Sequence, residues 1–122
     1  MHETSLIEFT LNAVEQRAGL MGIKEVGEIG IVVGRLAAVP ELLQTAFKIM
    51  KYDREMFCHT VLHIDYRDIQ LQCVKCGEKF LTKTYAEASC PKCKSKNLKR
   101  NSGEELYIDY FVPYYKKQDD KE

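Results

Sequence analysis

Cys73-Val-Lys-Cys76, thirteen residues, then Cys90-Pro-Lys-Cys93 is the stretch on which the reading of this chain turns. Two Cys-x-x-Cys pairs at this separation predict a tetrathiolate metal site. Each pair closes a tight turn whose sulfurs and backbone amides converge on one cation. The segment between them is long enough for a small hairpin that sets the second turn opposite the first. Gly77, directly after Cys76, can take the left-handed conformation such a turn uses, and Pro91 stiffens the second turn. Four soft thiolates in a closed tetrahedral shell point to a structural Zn²⁺ and leave no open position for chemistry. Iron would suit the same four sulfurs, and the colour of the purified protein separates the two. Two disulfides fit poorly, because Met1-His-Glu-Thr-Ser-Leu6 lacks the basic and apolar regions of a secretory signal.

The metal segment carries little apolar sequence, so the ion is expected to hold it together; structural zinc contributes about 10 kcal/mol or more in comparable peptides. It is rich in cations: Lys75, Lys79, Lys83, Lys92, Lys94, Lys96, Lys99 and Arg100, against Glu78 and Glu87. One function this fits is a zinc-ribbon module that binds nucleic acid or an acidic protein. Compensation of the thiolate charge explains the lysines more simply. With only Phe80 and Tyr85 among them, stacking on single-stranded bases has little support.

On the amino-terminal side, residues from about 5 to 21 predict an amphipathic helix. Ile7, Leu11, Val14, Ala18 and Met21, widened by Leu6, line one face. Ser5 and Glu8 match a capping box and Gly22 a stop. Residues from about 25 to 35 predict a strand in which Ile29, Ile31 and Val33 alternate with Gly30, Val32 and Gly34; the glycines allow close approach of a helix or another backbone. A second helix starts at Pro40 and Glu41 and carries Leu42, Leu43, Ala46, Phe47 and Met50. Thr60 to Leu71 predicts a strand with Leu62, Ile64 and Tyr66 on one face. After the cysteines, Lys94 to Gly103 is polar and turn-rich. Leu106, Ile108, Tyr110 and Val112 then make a final strand ended by Pro113.

These elements predict an α+β fold: a small three-stranded sheet covered on one face by two helices, with an inserted zinc-ribbon module. The strands leading into and out of the module are expected to pair as neighbours. The division is residues 1–70 and 104–113 for the α+β domain, 71–103 for the zinc-binding module and 114–122 for a polar, loose tail.

A formal net charge of zero gives no whole-chain case for nucleic acid or a membrane surface. No apolar run approaches the roughly 20 residues that span a bilayer. Four cysteines at metal spacing suit a reducing cytoplasm. The fifth, Cys58, beside Met56 and Phe57, is expected to be a small buried thiol. His59 and His63, four apart on a strand, would lie about 13 Å apart and share no ion, though His63 on the exposed face leaves room for an accessory ligand. No Walker-type loop and no Ser-His-Asp or Cys-His constellation can be placed, so an enzyme reading has no support. His2 beside a free amine, with a deprotonatable amide after it, can offer several nitrogens in a plane, which suits Ni²⁺ or Cu²⁺ better than Zn²⁺.

Met1-His2-Glu3, the run Ile31 to Met50, Cys73-x-x-Cys76-Gly77, Cys90-Pro91-x-Cys93 and Ser102-Gly103-Glu104-Glu105-Leu106 together resemble the HypA/HybF family of nickel metallochaperones for hydrogenase maturation. The resemblance runs from Met1 to about Val112. It implies a non-enzymatic carrier whose Ni²⁺ cargo is bound by Met1, His2 and Glu3, with His2 essential, the Met1 amine contributing and the backbone nitrogens of His2 and Glu3 completing a planar set. It implies structural zinc on Cys73, Cys76, Cys90 and Cys93. The implied partners are a maturation GTPase of the HypB type and the large subunit of a [NiFe]-hydrogenase, with urease maturation proteins for some relatives. A homodimer stays open, and neither nucleic acid nor membrane is expected. Two departures bear on partner contacts: Arg35 stands where relatives often carry an acidic residue, and Tyr66-Arg67 replaces a commonly acidic segment.

Overall fold

The computed structural model of the chain describes residues 3–115. Its elements are α1 (Glu3–Leu20), β1 (Val26–Gly34), α2 (Pro40–Met50), a single 3₁₀ turn (Glu55–Phe57), β2 (Val61–Arg67), β3 (Ile69–Cys73), β4 (Lys79–Thr82), β5 (Leu98–Ser102) and β6 (Leu106–Pro113). The architecture is α+β with two three-stranded sheets, ordered β2-β1-β6 and β4-β3-β5.

α1 buries Leu6, Ile7, Leu11, Val14 and Ala18 as their spacing predicts, together with Thr10, whose hydroxyl donates to the Leu6 carbonyl at 2.9 Å. The helix starts at Glu3, so Ser5 lies inside the first turn and cannot serve as its cap. At the other end Gly22 takes φ +76°. The Ile23 amide reaches back to the Ala18 carbonyl at 2.9 Å and the Gly22 amide to Gly19 at 3.1 Å. That pair of bonds is a Schellman stop, which satisfies two carbonyls the helix would otherwise leave open. It also turns Met21 out to solvent, 60% exposed, and Ile23 in against the core.

β1 is the middle strand of the first sheet, parallel to β2 and antiparallel to β6. The strands on either side of the metal segment therefore do not pair with each other; β1 lies between them. Ile29, Ile31 and Val33 face the main core, and Val32 on the other face is buried as well. The Tyr110 ring lies over Gly30, and the Gly103 carbonyl fills the space where Gly34 would carry a Cβ.

α2 starts on Pro40 after an extended Val39, as a residue before proline prefers, and buries Leu43, Ala46 and Phe47. Gln44 donates to the Leu62 carbonyl at 2.8 Å, tying the helix to β2, an edge strand of its sheet. The main core lies between the two helices and this sheet and takes in Phe57 from the 3₁₀ turn.

The long strand expected from Thr60 to Leu71 is broken at Asp68, and its halves enter different sheets. The hairpin expected within the thirteen residues between the cysteine pairs is not the one that forms: β3 pairs with β4 across the first cysteine turn, and also with β5, which arises within the polar stretch 94–103. Ile69 and Leu71 are buried in the second sheet, outside the main core. Backbone bonds at the end of β1 reach the segment that runs from the second sheet to the first, Gly34 to Glu105 at 2.8 Å and Leu36 to Gly103 at 2.8 Å, while Arg35 to Arg67 at 3.0 Å extends the pairing of β1 with β2. Arg35 adds an ion pair to Asp68 at 2.6 Å and lies 4.3 Å from the centre of the Tyr66 ring. This cation is held within the chain. Residues 114 and 115 open the expected tail, yet Tyr114 donates its amide to the Glu25 carbonyl at 2.9 Å and packs flat on His59. None of the helices is long and apolar enough to cross a membrane, among the described residues.

Candidate metal centre

The β3 strand ends on Cys73, and the turn that follows is shaped by its backbone. The Gly77 amide donates to the Cys73 carbonyl at 2.9 Å, and the Cys73 amide to the Glu78 carbonyl at 2.8 Å. The second cysteine turn repeats both bonds at the same spacing: Lys94 to Cys90 at 2.8 Å and Cys90 to Ser95 at 2.8 Å. Gly77 at φ +83° and Lys94 at φ +68° are equivalent positions, and both are left-handed. Only the first carries the glycine that marks such a site in sequence.

Cys73 and Cys90 are buried, Cys76 and Cys93 exposed, and the four sulfurs lie within 4.8 Å of one another. Cys73 stands 3.5 Å from Cys93 and Cys76 stands 3.6 Å from Cys90, sulfur to sulfur. A disulfide requires about 2.05 Å. A tetrahedron of about 2.3 Å metal–sulfur bonds has edges of about 3.8 Å, close to the observed spacing. Amides point inward as the chemistry of a thiolate centre needs: Cys76 donates to the Cys73 sulfur at 3.4 Å, and Lys92 and Cys93 donate to the Cys90 sulfur at 3.3 and 3.4 Å.

The amide of Cys76, followed by the Cys93 thiol and the Lys75 amide, holds the Cys73 thiol down to about 6 against the burial that opposes it. Cys90 is also lowered: burial opposes ionisation there, but the Cys93 and Lys92 amides outweigh it. The Glu78 amide lowers Cys76, yet burial and the neighbouring sulfurs together push it up to about 12. Four sulfurs this close ionise together only around a cation. The cluster fits a closed four-thiolate zinc site. The lysines of this segment are all exposed, on the outside of that charge.

Of the three residues expected to hold nickel, Met1 and His2 lie outside the described residues, and Glu3 is the first residue of α1. An amide at that position has no intrahelical acceptor. Cys58 is exposed, contrary to expectation. In a 3₁₀ turn successive side chains point about 120° apart, so Phe57, wholly buried, turns its neighbour outward. His59 lies in the turn before β2, its Nδ1 2.9 Å from Glu25 Oε1, and His63 is exposed on β2. Nothing in the sequence brings Glu25 to His59; that contact follows from the parallel pairing of β1 with β2.

The family model for hydrogenase/urease nickel incorporation, metallochaperone, HypA, matches residues 1–112. The hydrogenase maturation factor HypA of Syntrophus aciditrophicus is 35% identical over 106 residues, spanning 86% of this chain and 91% of its own length. That of Helicobacter hepaticus is 28% identical over 109 residues, 88% of this chain and 92% of its own. The solution structure of the Ni metallochaperone HypA from Helicobacter pylori shares the fold, with a TM-score of 0.61 at 21% identity over 95% of this chain and all of that one.

Proposed function

Because the chain belongs to the HypA family of hydrogenase and urease nickel-incorporation metallochaperones, we propose that it carries Ni²⁺ at its amino-terminal end and hands it to a maturing enzyme. The observation that carries this reading is a family match that begins at residue 1 and so takes in Met1-His2-Glu3. His2 supplies the imidazole, Met1 its amine, and the amides of His2 and Glu3 complete a planar nitrogen set of the kind Ni²⁺ favours. The Glu3 carboxylate orients or assists.

Cys73, Cys76, Cys90 and Cys93 hold a structural Zn²⁺, which supplies folding energy to residues 71–103 and no reactive position. The nickel unit is residues 1–70 and 104–113, into which that module is inserted, followed by the tail 114–122. The protein is a carrier and not a catalyst, and it works in the cytoplasm. A HypB-type GTPase assists delivery, and the acceptor is the large subunit of a [NiFe]-hydrogenase, with urease maturation proteins as a second destination.

A carrier must bind well enough to gather its ion and weakly enough to give it up. A site built from backbone and a single imidazole meets both needs, because protonating His2 dismantles it. The four-thiolate cluster, closed on all sides, does not.

The test is a Ni²⁺ titration of untagged protein, wild type beside His2→Ala. Stoichiometric nickel binding is expected to vanish in the variant while zinc content and far-ultraviolet circular dichroism stay as they were. Nickel affinity within twofold of wild type would sink the proposal.

A further inference from the structure

Glu25, Cys58 and His59 form a second convergence of metal-binding side chains, far from the four cysteines in sequence. Their ligand atoms all lie within 4.8 Å of one another. Cys58 Sγ is 3.4 Å and Glu25 Oε1 2.9 Å from His59 Nδ1. Donors on one ion with bonds of about 2.1 Å to nitrogen or oxygen and about 2.3 Å to sulfur stand about 2.9–3.6 Å apart, from right-angled to tetrahedral arrangement. Both measured separations fall in that range.

The fold places these groups firmly. Parallel pairing sets Glu28 opposite Val61, so the residues three before each, Glu25 and Cys58, are brought side by side. The buried Thr60 hydroxyl donates to the Val26 carbonyl and pins the two segments together. The His59 ring stacks on Tyr114, centroids 4.3 Å apart and planes within 8°, which fixes the plane in which Nδ1 points. Beside it opens a cavity of about 520 Å³, lined by Gly22 to Glu25, His59 and Pro113 to Tyr115, with room for solvent ligands.

From this geometry we infer that Glu25, Cys58 and His59 form a second metal site, which takes one borderline divalent transition-metal ion. A thiolate and a carboxylate balance the ion's two charges, and a sulfur–imidazole pair excludes Mg²⁺ and Ca²⁺ in favour of Zn²⁺, Co²⁺ or Ni²⁺. Three protein donors leave the fourth position to water, so the site is open where the four-cysteine cluster is closed. Lys24 lines the same cavity and is the cation among its lining residues. The site stands past the carboxyl end of α1. The helix, 18 residues long, sets it about 27 Å from Glu3 at 1.5 Å per residue. It shares no residue with the amino-terminal nickel site and does not depend on that proposal.

The probe is Co²⁺, titrated into zinc-loaded His2→Ala protein so that the amino-terminal site is out of play. One further equivalent is expected to bind with a thiolate-to-metal charge-transfer band in the near ultraviolet. Cys58→Ser should remove that band, and His59→Ala and Glu25→Gln should each weaken binding at least tenfold. Alkylation of Cys58 in protein with the site intact should slow at least tenfold when Co²⁺ is present. A band that survives Cys58→Ser, or an alkylation rate that Co²⁺ leaves unchanged, would overturn the assignment.

Discussion

Lys94 holds a left-handed backbone at φ +68° in the place that Gly77 fills at φ +83° in the companion turn. A side chain in that region costs roughly 1–2 kcal/mol, part of which a glycine gives back through greater freedom in the unfolded chain. Lys94→Gly should therefore leave zinc affinity unchanged or raise it by up to about 1 kcal/mol. Gly77→Ala should lower it by about 1 kcal/mol. A Cβ at Gly77 meets no neighbouring atom, so any loss there belongs to the backbone alone. Competition with a colorimetric zinc chelator measures both, and effects of the same sign would contradict the strain argument. Gly77 was legible beforehand because glycine advertises a positive φ. Lys94 was not, since the cysteine turn imposes that conformation on whatever residue follows it. Cys58 misled for a related reason: apolar neighbours predict burial only when the local helix type is known, and nothing in Glu55-Met56-Phe57-Cys58 announces a 3₁₀ turn.

Both helices and β1 were readable because their apolar residues recur at the period of the element. β6 was readable as a strand, but an irregularity beside Asp109 shifts its alternation, so that Phe111 packs on the core with Leu106 and Ile108 while Tyr110 and Val112 are exposed. The break at Asp68 was not, because the alternation Leu62, Ile64, Tyr66 runs on into Ile69 and Leu71 with only one residue added, and that residue moves the chain from one sheet to the other. β5, Leu-Lys-Arg-Asn-Ser, carries almost no apolar signal; backbone bonds to β3 make it a strand. Elements of that kind depend on what anchors their ends. Removing zinc with a strong chelator should strip amide-exchange protection from β3, β4 and β5 while β1 and α1, which rest on the main core, keep theirs. The expected difference is large, since the metal is worth about 10 kcal/mol to a module of this size. Uniform loss of protection across both sheets would show that the two stand or fall together.

At the scale of the whole molecule, the sheets are joined where the end of β1 meets the two crossing segments, 67–69 and 102–106. Arg35 is the centre of that junction, paired with Asp68 and lying on Tyr66. Asp68 holds the Arg35 guanidinium above its usual range, but both side chains are partly open to solvent. Their coupling should therefore be modest but measurable in a urea double-mutant cycle of Arg35→Ala with Asp68→Ala. Arg35→Lys should recover less than half of it, because lysine lacks the flat face that rests on the ring. Zero coupling would mean the ion pair adds nothing to what the backbone at this junction already provides. The resemblance singled out Arg35 as a departure that bears on partner contacts; the fold gives its guanidinium partners within the chain, through a register no single segment reveals.

β1 sits between two neighbours drawn from opposite sides of the metal segment, and this has a consequence for the newborn chain. While the ribosome is still adding residues, helix, first strand and second strand can meet early, but one flank of β1 stays bare until β6 emerges. The cysteine module is made in that interval. A message cut short after it would yield a polypeptide with a naked hydrophobic ribbon, a substrate for proteases and chaperones, whereas looping the module out and stitching its two ends together would leave all three partners of the sheet in place.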